Sequence, residues 1–63
     1  MTLDEIHALK TGDRLRLSNG RLVIYRGKGN ELHEVKLEFP PMRAILTRSI
    51  EELMHGHARK VEP

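Results

Sequence analysis

The segment Asp13-Arg14-Leu15-Arg16-Leu17-Ser18-Asn19-Gly20-Arg21-Leu22-Val23-Ile24-Tyr25-Arg26 decides the fold. Charged and apolar side chains alternate along its first part with the two-residue period of a β-strand. Asn19-Gly20 follows, and this dipeptide is the preferred loop of a two-residue type I′ hairpin. An aliphatic return strand comes next. The sequence therefore predicts an antiparallel hairpin that bends at Asn19-Gly20.

The tight bend also predicts a register, which sorts the side chains onto two faces. When Asn19-Gly20 forms the whole loop, Leu17 lies opposite Leu22. Leu15 then lies opposite Ile24, and these four aliphatic residues form the expected core face. The opposite face carries five residues: Arg14, Arg16, Arg21, Val23 and Tyr25.

A third strand is predicted over residues 31–39, after a turn at residues 27–30. Pairing Arg26 with Glu31 continues the apolar face across this strand. Its inward side chains are expected to be His33, Val35, Leu37 and Phe39. Pro40-Pro41 ends the strand, because two residues without an amide hydrogen do not fit a central ladder.

Two capping patterns predict short helices. Thr2 and Glu5 fit a capping box, and an apolar stripe follows, so a helix is expected over residues 2–11. Ser49 and Glu52 repeat the pattern before a second helical segment of about two turns.

The chain beyond the two prolines predicts two more strands. The fourth strand spans residues 42–47, with Met42, Ala44 and Leu46 pointing inward. Residues 57–63 supply either a fifth, edge strand over 58–61 or a frayed tail.

Composition limits the classes of protein to consider. Sixty-three residues suffice for one domain spanning 1–63. The chain has 11 Lys and Arg against 9 Asp and Glu, a net charge of +2 that does not require nucleic acid as a partner. The longest apolar run, Leu22–Tyr25, is far shorter than the ~20 residues that span a bilayer. Since residues 1–5 also lack the cationic start of a secretory signal, we expect a cytoplasmic protein without membrane contact.

The order of predicted elements resembles the small barrel of Src homology 3-like (SH3-like) domains, a group that includes Tudor and KOW modules. Two segments carry the resemblance: Leu9–Leu17, which leads through Gly12-Asp13 into an alternating strand, and Thr47–Leu53, the turn before the last strand. It implies a mainly β fold: a five-stranded SH3-like barrel with a short N-terminal helix and one helical turn before the last strand. Barrel closure would remove most exposed strand edges.

The outer face of the first hairpin is the candidate binding site. Arginines there can hold phosphates, while Tyr25 can stack on a base or an apolar group. The predicted binding face comprises Arg14, Arg16, Arg21, Val23, Tyr25 and Lys28. The competing interpretation is a solvated face whose cations pair with Glu34 and Glu38. A single aromatic residue argues against cages for methylated lysine and grooves for proline-rich peptides, which need several rings.

The sequence predicts no catalytic residue, no metal and no cofactor. His55-Gly56-His57 lacks further ligands at suitable spacing, and Glu51 and Glu52 are adjacent on a helix, so they cannot face each other as an acid–base pair. Gly27-Lys28-Gly29-Asn30 precedes a strand, whereas a phosphate-binding P-loop precedes a helix. We therefore expect no small-molecule substrate.

Three functions are considered, in order of preference. The first is a non-catalytic binding or adaptor module that acts through protein–protein contacts and self-associates as a homodimer or small oligomer. Its motivation is the small core and the apolar residues outside it: Val23, Ile45 and Leu32. The second is low-specificity nucleic-acid binding through Arg14, Arg16 and Arg21.

The third function is an oligomeric enzyme with a pore-type active site. Gly12-Asp13-Arg14 resembles the opening of the plasmid-borne type II dihydrofolate reductases, which are small barrels that form an active pore as oligomers. The Val-Gln-Ile-Tyr segment of those enzymes has no counterpart, since Leu22-Val23-Ile24-Tyr25 lacks the glutamine and lies in a different strand.

Overall fold

One antiparallel sheet and two short helices make up the structure, a computed structural model that describes residues 1–56 and 58–61. In chain order the elements are α1 (Leu3–His7), β1 (Arg14–Arg16), β2 (Leu22–Lys28), β3 (Glu34–Glu38), β4 (Ile45–Ser49), α2 (Ile50–His55) and β5 (Arg59–Val61). The mainly β class and the predicted order of elements are confirmed. The predicted closure is not: the strand order is β4-β3-β2-β1-β5, so β4 and β5 are open edges.

Both helices pack against the same face of the sheet, here called the inner face. Ile6 of α1 and Ile50 and Leu53 of α2 join the strand residues in one buried cluster. The core consists of Ile6, Leu15, Val23, Tyr25, Val35, Leu37, Phe39, Ile50, Leu53 and Ala58. The opposite, uncovered side of the sheet is the outer face, and it carries the candidate site.

The first hairpin differs from its predicted register by one residue. The Leu17 amide donates to the Arg21 carbonyl at 2.9 Å, which leaves Ser18–Gly20 as a loop of three residues instead of two. Gly20 has φ 84°, and the Asn19 side chain accepts from the Arg21 amide at 2.9 Å. Three-residue hairpin loops commonly end on a left-handed residue, a conformation that glycine adopts without steric penalty.

This one-residue shift exchanges the two faces of β2, because side chains alternate along a strand. Leu15 lies across from Val23, and Val23 and Tyr25 point into the core. The expectation that Leu22 and Ile24 are core residues is therefore wrong: both are half-buried on the outer face.

The second hairpin is also longer than predicted. Ile24 lies across from Glu38, and the register then shifts at a bulge between Tyr25 and Lys28, where Gly27 has φ 110°. A bulge adds one unpaired residue to one strand, which a pattern of alternating side chains does not reveal. The alternation of β3 is confirmed, with Val35, Leu37 and Phe39 buried. His33 lies before β3 and is exposed, contrary to the prediction.

The helix caps are confirmed. The Thr2 hydroxyl accepts from the Glu5 amide at 3.2 Å, and the Glu5 carboxylate accepts from the Thr2 amide at 2.9 Å. Helix α1 ends at His7, before the predicted position 11, because residues 10–13 form a turn closed by a 2.9 Å hydrogen bond between the Lys10 carbonyl and the Asp13 amide. Ser49 caps α2. No helix in the described part of the chain is long and apolar enough to cross a bilayer.

The prediction for the last strand is confirmed, whereas the prediction for the fourth strand is only partly correct. Strand β4 begins at Ile45, later than predicted, and Met42 and Ala44, which were expected to point inward, precede it and are exposed. Leu46 lies across from buried Leu37 and so points to the inner face as predicted, but it is 39% exposed. Among residues 1–56 and 58–61, no further strand lies beyond β4, so its side chains stay at the rim of the core. The predicted fifth strand is confirmed as β5, paired with β1. His57, Glu62 and Pro63, part of the predicted tail segment, lie outside the described residues.

Replacing Val23 by threonine should lower the free energy of unfolding by about 1–3 kcal/mol, because the shape is kept while a hydroxyl enters the core. Val23 is 0% exposed. The matched control, Val61→Thr, makes the same exchange at a half-buried edge position, where the change should stay within about 0.5 kcal/mol. Urea denaturation followed by circular dichroism measures both. Equal losses would contradict the observed register.

Candidate functional site

Strand pairing on the outer face brings three arginines together. Arg14 and Arg16 alternate with buried Leu15 along β1, so both side chains emerge on the outer face. Strand β5 pairs antiparallel with β1 and places Arg59 directly across from Arg16. All three side chains are exposed. Arg14, Arg16 and Arg59 are called the arginine cluster below.

The arginine cluster places two like charges at directly opposite positions of neighbouring strands, Arg16 on β1 and Arg59 on β5. Residues directly opposite on neighbouring strands have their Cβ atoms about 5 Å apart, and like charges in such a pair are destabilising. The salt bridges among residues 1–56 and 58–61 are Arg26–Glu38, Arg48–Glu52 and Lys60–Asp13, and none includes the cluster. Asp13, adjacent to Arg14 in sequence, is engaged by Lys60 at 3.6 Å. The described chain thus leaves the repulsion uncompensated.

The hairpin loop positions one member of the cluster. An Nη1 group of Arg16 donates to the Gly20 carbonyl at 2.8 Å. A guanidinium has five N–H donors, so this bond orients the group and leaves other donors for an external acceptor. The three-residue loop that sets the register of the hairpin therefore also orients Arg16.

Aliphatic side chains surround the cluster. Arg14 lies between Ile24 of β2 and Val61 of β5, and Leu22 lies across from Arg16. All three aliphatic residues are half-buried. Nonpolar neighbours lower the local dielectric constant, which strengthens the attraction between a guanidinium and an anion. The cluster can therefore hold an anion against a partly apolar surface.

One ion pair lies on the outer face away from the arginine cluster. Arg26 donates from Nη2 and Nε to the same Glu38 oxygen, at 2.8 and 3.0 Å. Glu38 is one of the two acids that the competing interpretation paired with the hairpin arginines, and it instead engages Arg26. Charge pairing thus occurs on the β2–β3 side of the face and not at the arginine cluster.

Arg21 does not join the predicted face, because the shifted register moves it to the inner side. Its Cζ atom lies 5.2 Å from the centroid of the Phe39 ring, and the Arg48 Cζ atom lies at the same distance. Arg48 is also 3.7 Å from a Glu52 carboxylate oxygen. Arg21 therefore has a cation–π contact at the rim of the core.

Three other predicted site residues are also displaced. Val23 and Tyr25 are 0% and 5% exposed, so neither can present a surface to a ligand, and Tyr25 cannot stack on a base. Lys28 is exposed, but it lies across from Val35 beyond the bulge, beside a groove lined by Leu9 and Tyr25. Of the six residues predicted for the site, Arg14 and Arg16 remain together on the outer face.

Arg59 is the site residue that sequence reasoning missed. The strand that carries it was expected, but its partner was not assigned, because a three-residue strand suits several neighbours. One signal in the sequence pointed toward Arg59. Arg14 and Arg16 alternate with Leu15, so the outer face of β1 is cationic. Any strand paired with β1 adds its own residues to that surface.

The histidines do not form a metal site in the described chain. Among residues 1–56 and 58–61, no group of three or more His, Cys, Asp or Glu side chains is arranged to hold a metal ion. His57, half of the His55-Gly56-His57 motif, lies outside those residues.

Titration of Tyr25 tests the burial of this side chain. Burial raises the pKa of the Tyr25 hydroxyl above its ordinary value of 10.0. The unfolded chain therefore releases the proton at a lower pH than the folded protein. Below about pH 10 the Tyr25 hydroxyl is protonated in both states, so it adds no pH dependence to the free energy of unfolding. As pH rises through the folded pKa, this free energy falls, because the unfolded chain ionises first.

Because Tyr25 is the single tyrosine, tyrosinate absorbance reports on it alone. We expect the folded protein to titrate at higher pH than the protein in urea. In Tyr25→Phe this part of the alkaline loss of stability should disappear. Coincident titration curves for the folded and unfolded protein would contradict the burial.

The structure thus unites Arg14, Arg16 and Arg59 on one exposed sheet face and separates them from Arg21 and Lys28. The cluster is built by the register of β1 with its two neighbours, and its exposed guanidinium groups are of the type that donates hydrogen bonds to anions. Comparisons of the chain with protein-family models, with curated proteins and with solved structures found no match.

Proposed function

We propose that this protein is a nucleic-acid-binding module that contacts the phosphate backbone through the arginine cluster. The observation that supports the proposal is the direct opposition of Arg16 and Arg59 on an exposed face, with no salt bridge to either among the described residues. Repulsion between the two side chains destabilises the free protein. A bound polyanion removes that repulsion, so part of the binding free energy comes from the protein itself.

The layout of the cluster favours an extended polyanion over a small anion. Arg14 and Arg16 are two residues apart on one strand, roughly 7 Å, and Arg59 lies on the next strand about 5 Å away. Arg16 and Arg59 line an open groove beside the first hairpin loop, not an enclosed cavity. A chain of phosphates can follow such a surface and contact each arginine in turn.

We expect little sequence specificity. The chain has one tyrosine, one phenylalanine and no tryptophan. Tyr25 and Phe39 both belong to the core, so neither can act as a stacking platform on the outer face. Binding then depends on phosphate contacts, which position a protein on nucleic acid without reading its sequence. A cytoplasmic location, as expected from the sequence, agrees with this role.

The other two sequence-based hypotheses stay predictions. The protein–protein role loses Val23 as support, because that side chain is buried. Its other motivating residues, Ile45 and Leu32, are 52% and 86% exposed. The oligomeric-enzyme hypothesis still rests on the resemblance of Gly12-Asp13-Arg14 alone.

The double variant Arg16→Gln/Arg59→Gln tests the proposal. With fluorescently labelled duplex DNA, the plot of log binding constant against log salt should lose about 2 from its slope, because two phosphate contacts and their released counterions are gone. At low salt the affinity should fall at least tenfold. Fluorescence anisotropy across a salt series measures both quantities.

Matched controls separate this site from general charge effects. Arg16→Gln and Lys28→Gln each remove one positive charge, but only the first should lower affinity, because Lys28 lies beside the groove near Tyr25. The Arg16 variant should also unfold at an equal or higher urea concentration, since a like-charge contact is relieved. No binding by the unaltered protein at low salt, or equal losses in the two variants, would refute the proposed interface.

A further inference from the structure

The edge of β4 that points away from β3 presents backbone groups that have no partner within the described sheet. The Ala44 carbonyl accepts from the Phe39 amide at 3.3 Å, and the Ile50 amide donates to the His33 carbonyl at 2.8 Å. These bonds show that the backbone N–H and C=O groups of the even-numbered residues, 44 to 50, point toward β3. Because successive residues of a strand point their backbone groups to opposite sides, Ile45 and Thr47, together with the Ser49 amide, face away from the sheet.

In the described part of the chain, this edge lacks the features that normally prevent pairing with another strand. Such features are lysines, prolines, bulges or a covering element. The charged residue of β4 is Arg48, and its side chain is turned to the core rim by Phe39 and Glu52. Ile45 and Leu46 are both exposed on this strand. The β4 edge therefore has both the hydrogen-bonding groups and the apolar side chains of a pairing surface.

The charges at the two ends of β4 favour a second copy of this chain as the occupant. Arg43 precedes the strand, and Glu51 and Glu52 occupy the first turn of α2 directly after it. Antiparallel pairing of two β4 strands places the start of one strand beside the end of the other. Each Arg43 then lies near the acidic first turn of the partner's α2, and the two-fold symmetry repeats this contact.

We propose that two copies pair through antiparallel β4 strands, with the two-fold axis at Thr47. Thr47 then lies across from the partner's Thr47, and the two backbones exchange hydrogen bonds. Ile45 lies across from the partner's Ser49, and Leu46 lies across from the aliphatic stem of the partner's Arg48. Arg43 reaches the partner's Glu51. The β3–β4 ladder uses the other side of the strand and is unchanged.

In this arrangement the two sheets become one continuous sheet with the outer faces on the same side. Residues directly opposite across an antiparallel pair share a face, so Thr47 and the partner's Thr47 both point outward. The two arginine clusters then lie on the same face of the continuous sheet. The proposed dimer uses the β4 edge alone and does not depend on nucleic-acid binding.

Sedimentation equilibrium of the full chain over a range of concentrations tests the pairing. The unaltered protein should dimerise, and Ile45→Lys should weaken the dimer at least tenfold, because a lysine on an edge strand opposes strand addition. Leu32→Lys makes the same change at an exposed residue away from the edge and should leave the dimer intact. Circular dichroism should show that both variants keep the native fold.

A charge exchange tests the register. Arg43→Glu and Glu51→Arg should each weaken the dimer, while the double variant should recover most of the affinity, because the contact is restored with reversed charges. A protein that stays monomeric at all concentrations, or that is monomeric but binds an added foreign strand at this edge, would overturn the second-copy proposal. Equal effects of Ile45→Lys and Leu32→Lys, or no recovery in the double variant, would also refute it.

Discussion

The left-handed conformation of Gly20 is the constraint on which the rest of the structure depends. It allows the first hairpin to close over a three-residue loop, which sets the register of β1 against β2. That register sends Val23 and Tyr25 into the core and leaves Arg16 on the outer face. The same loop supplies the Gly20 carbonyl that accepts a hydrogen bond from Arg16. The burial of Val23 and Tyr25 and the orientation of Arg16 thus both depend on this loop.

Sequence reasoning succeeded where the determining interaction is local. The capping residues Thr2 and Ser49 act on amides three positions away, and the alternation of β3 is contained within one strand. Both signals can be read from a few neighbouring residues. The five strands and two helices were predicted for this reason.

Register was harder to predict. One more residue in a hairpin loop exchanges the two faces of the following strand, but it leaves the alternation of side chains along that strand unchanged. Asn19-Gly20 suits a two-residue loop, yet it also suits a three-residue loop that ends on Gly20. The bulge at Gly27 introduced a second shift. As a result, Arg14 and Arg16 were placed correctly, Val23 and Tyr25 were placed on the wrong face, and Arg59 was not assigned to the site at all.

The linear strand order has a consequence for the size of any assembly. A sheet with two equally permissive edges could add copies without limit and grow into fibrils. Here the edges differ: β5 carries Arg59 and Lys60, whereas β4 exposes Ile45 and Leu46. In the proposed dimer, contact between the two β4 edges occupies the permissive edge of each copy and leaves the two β5 edges, each with an exposed Arg59, outward. Assembly through β4 would therefore stop at two copies, and Arg59, a member of the proposed anion-binding surface, would oppose further strand addition at β5.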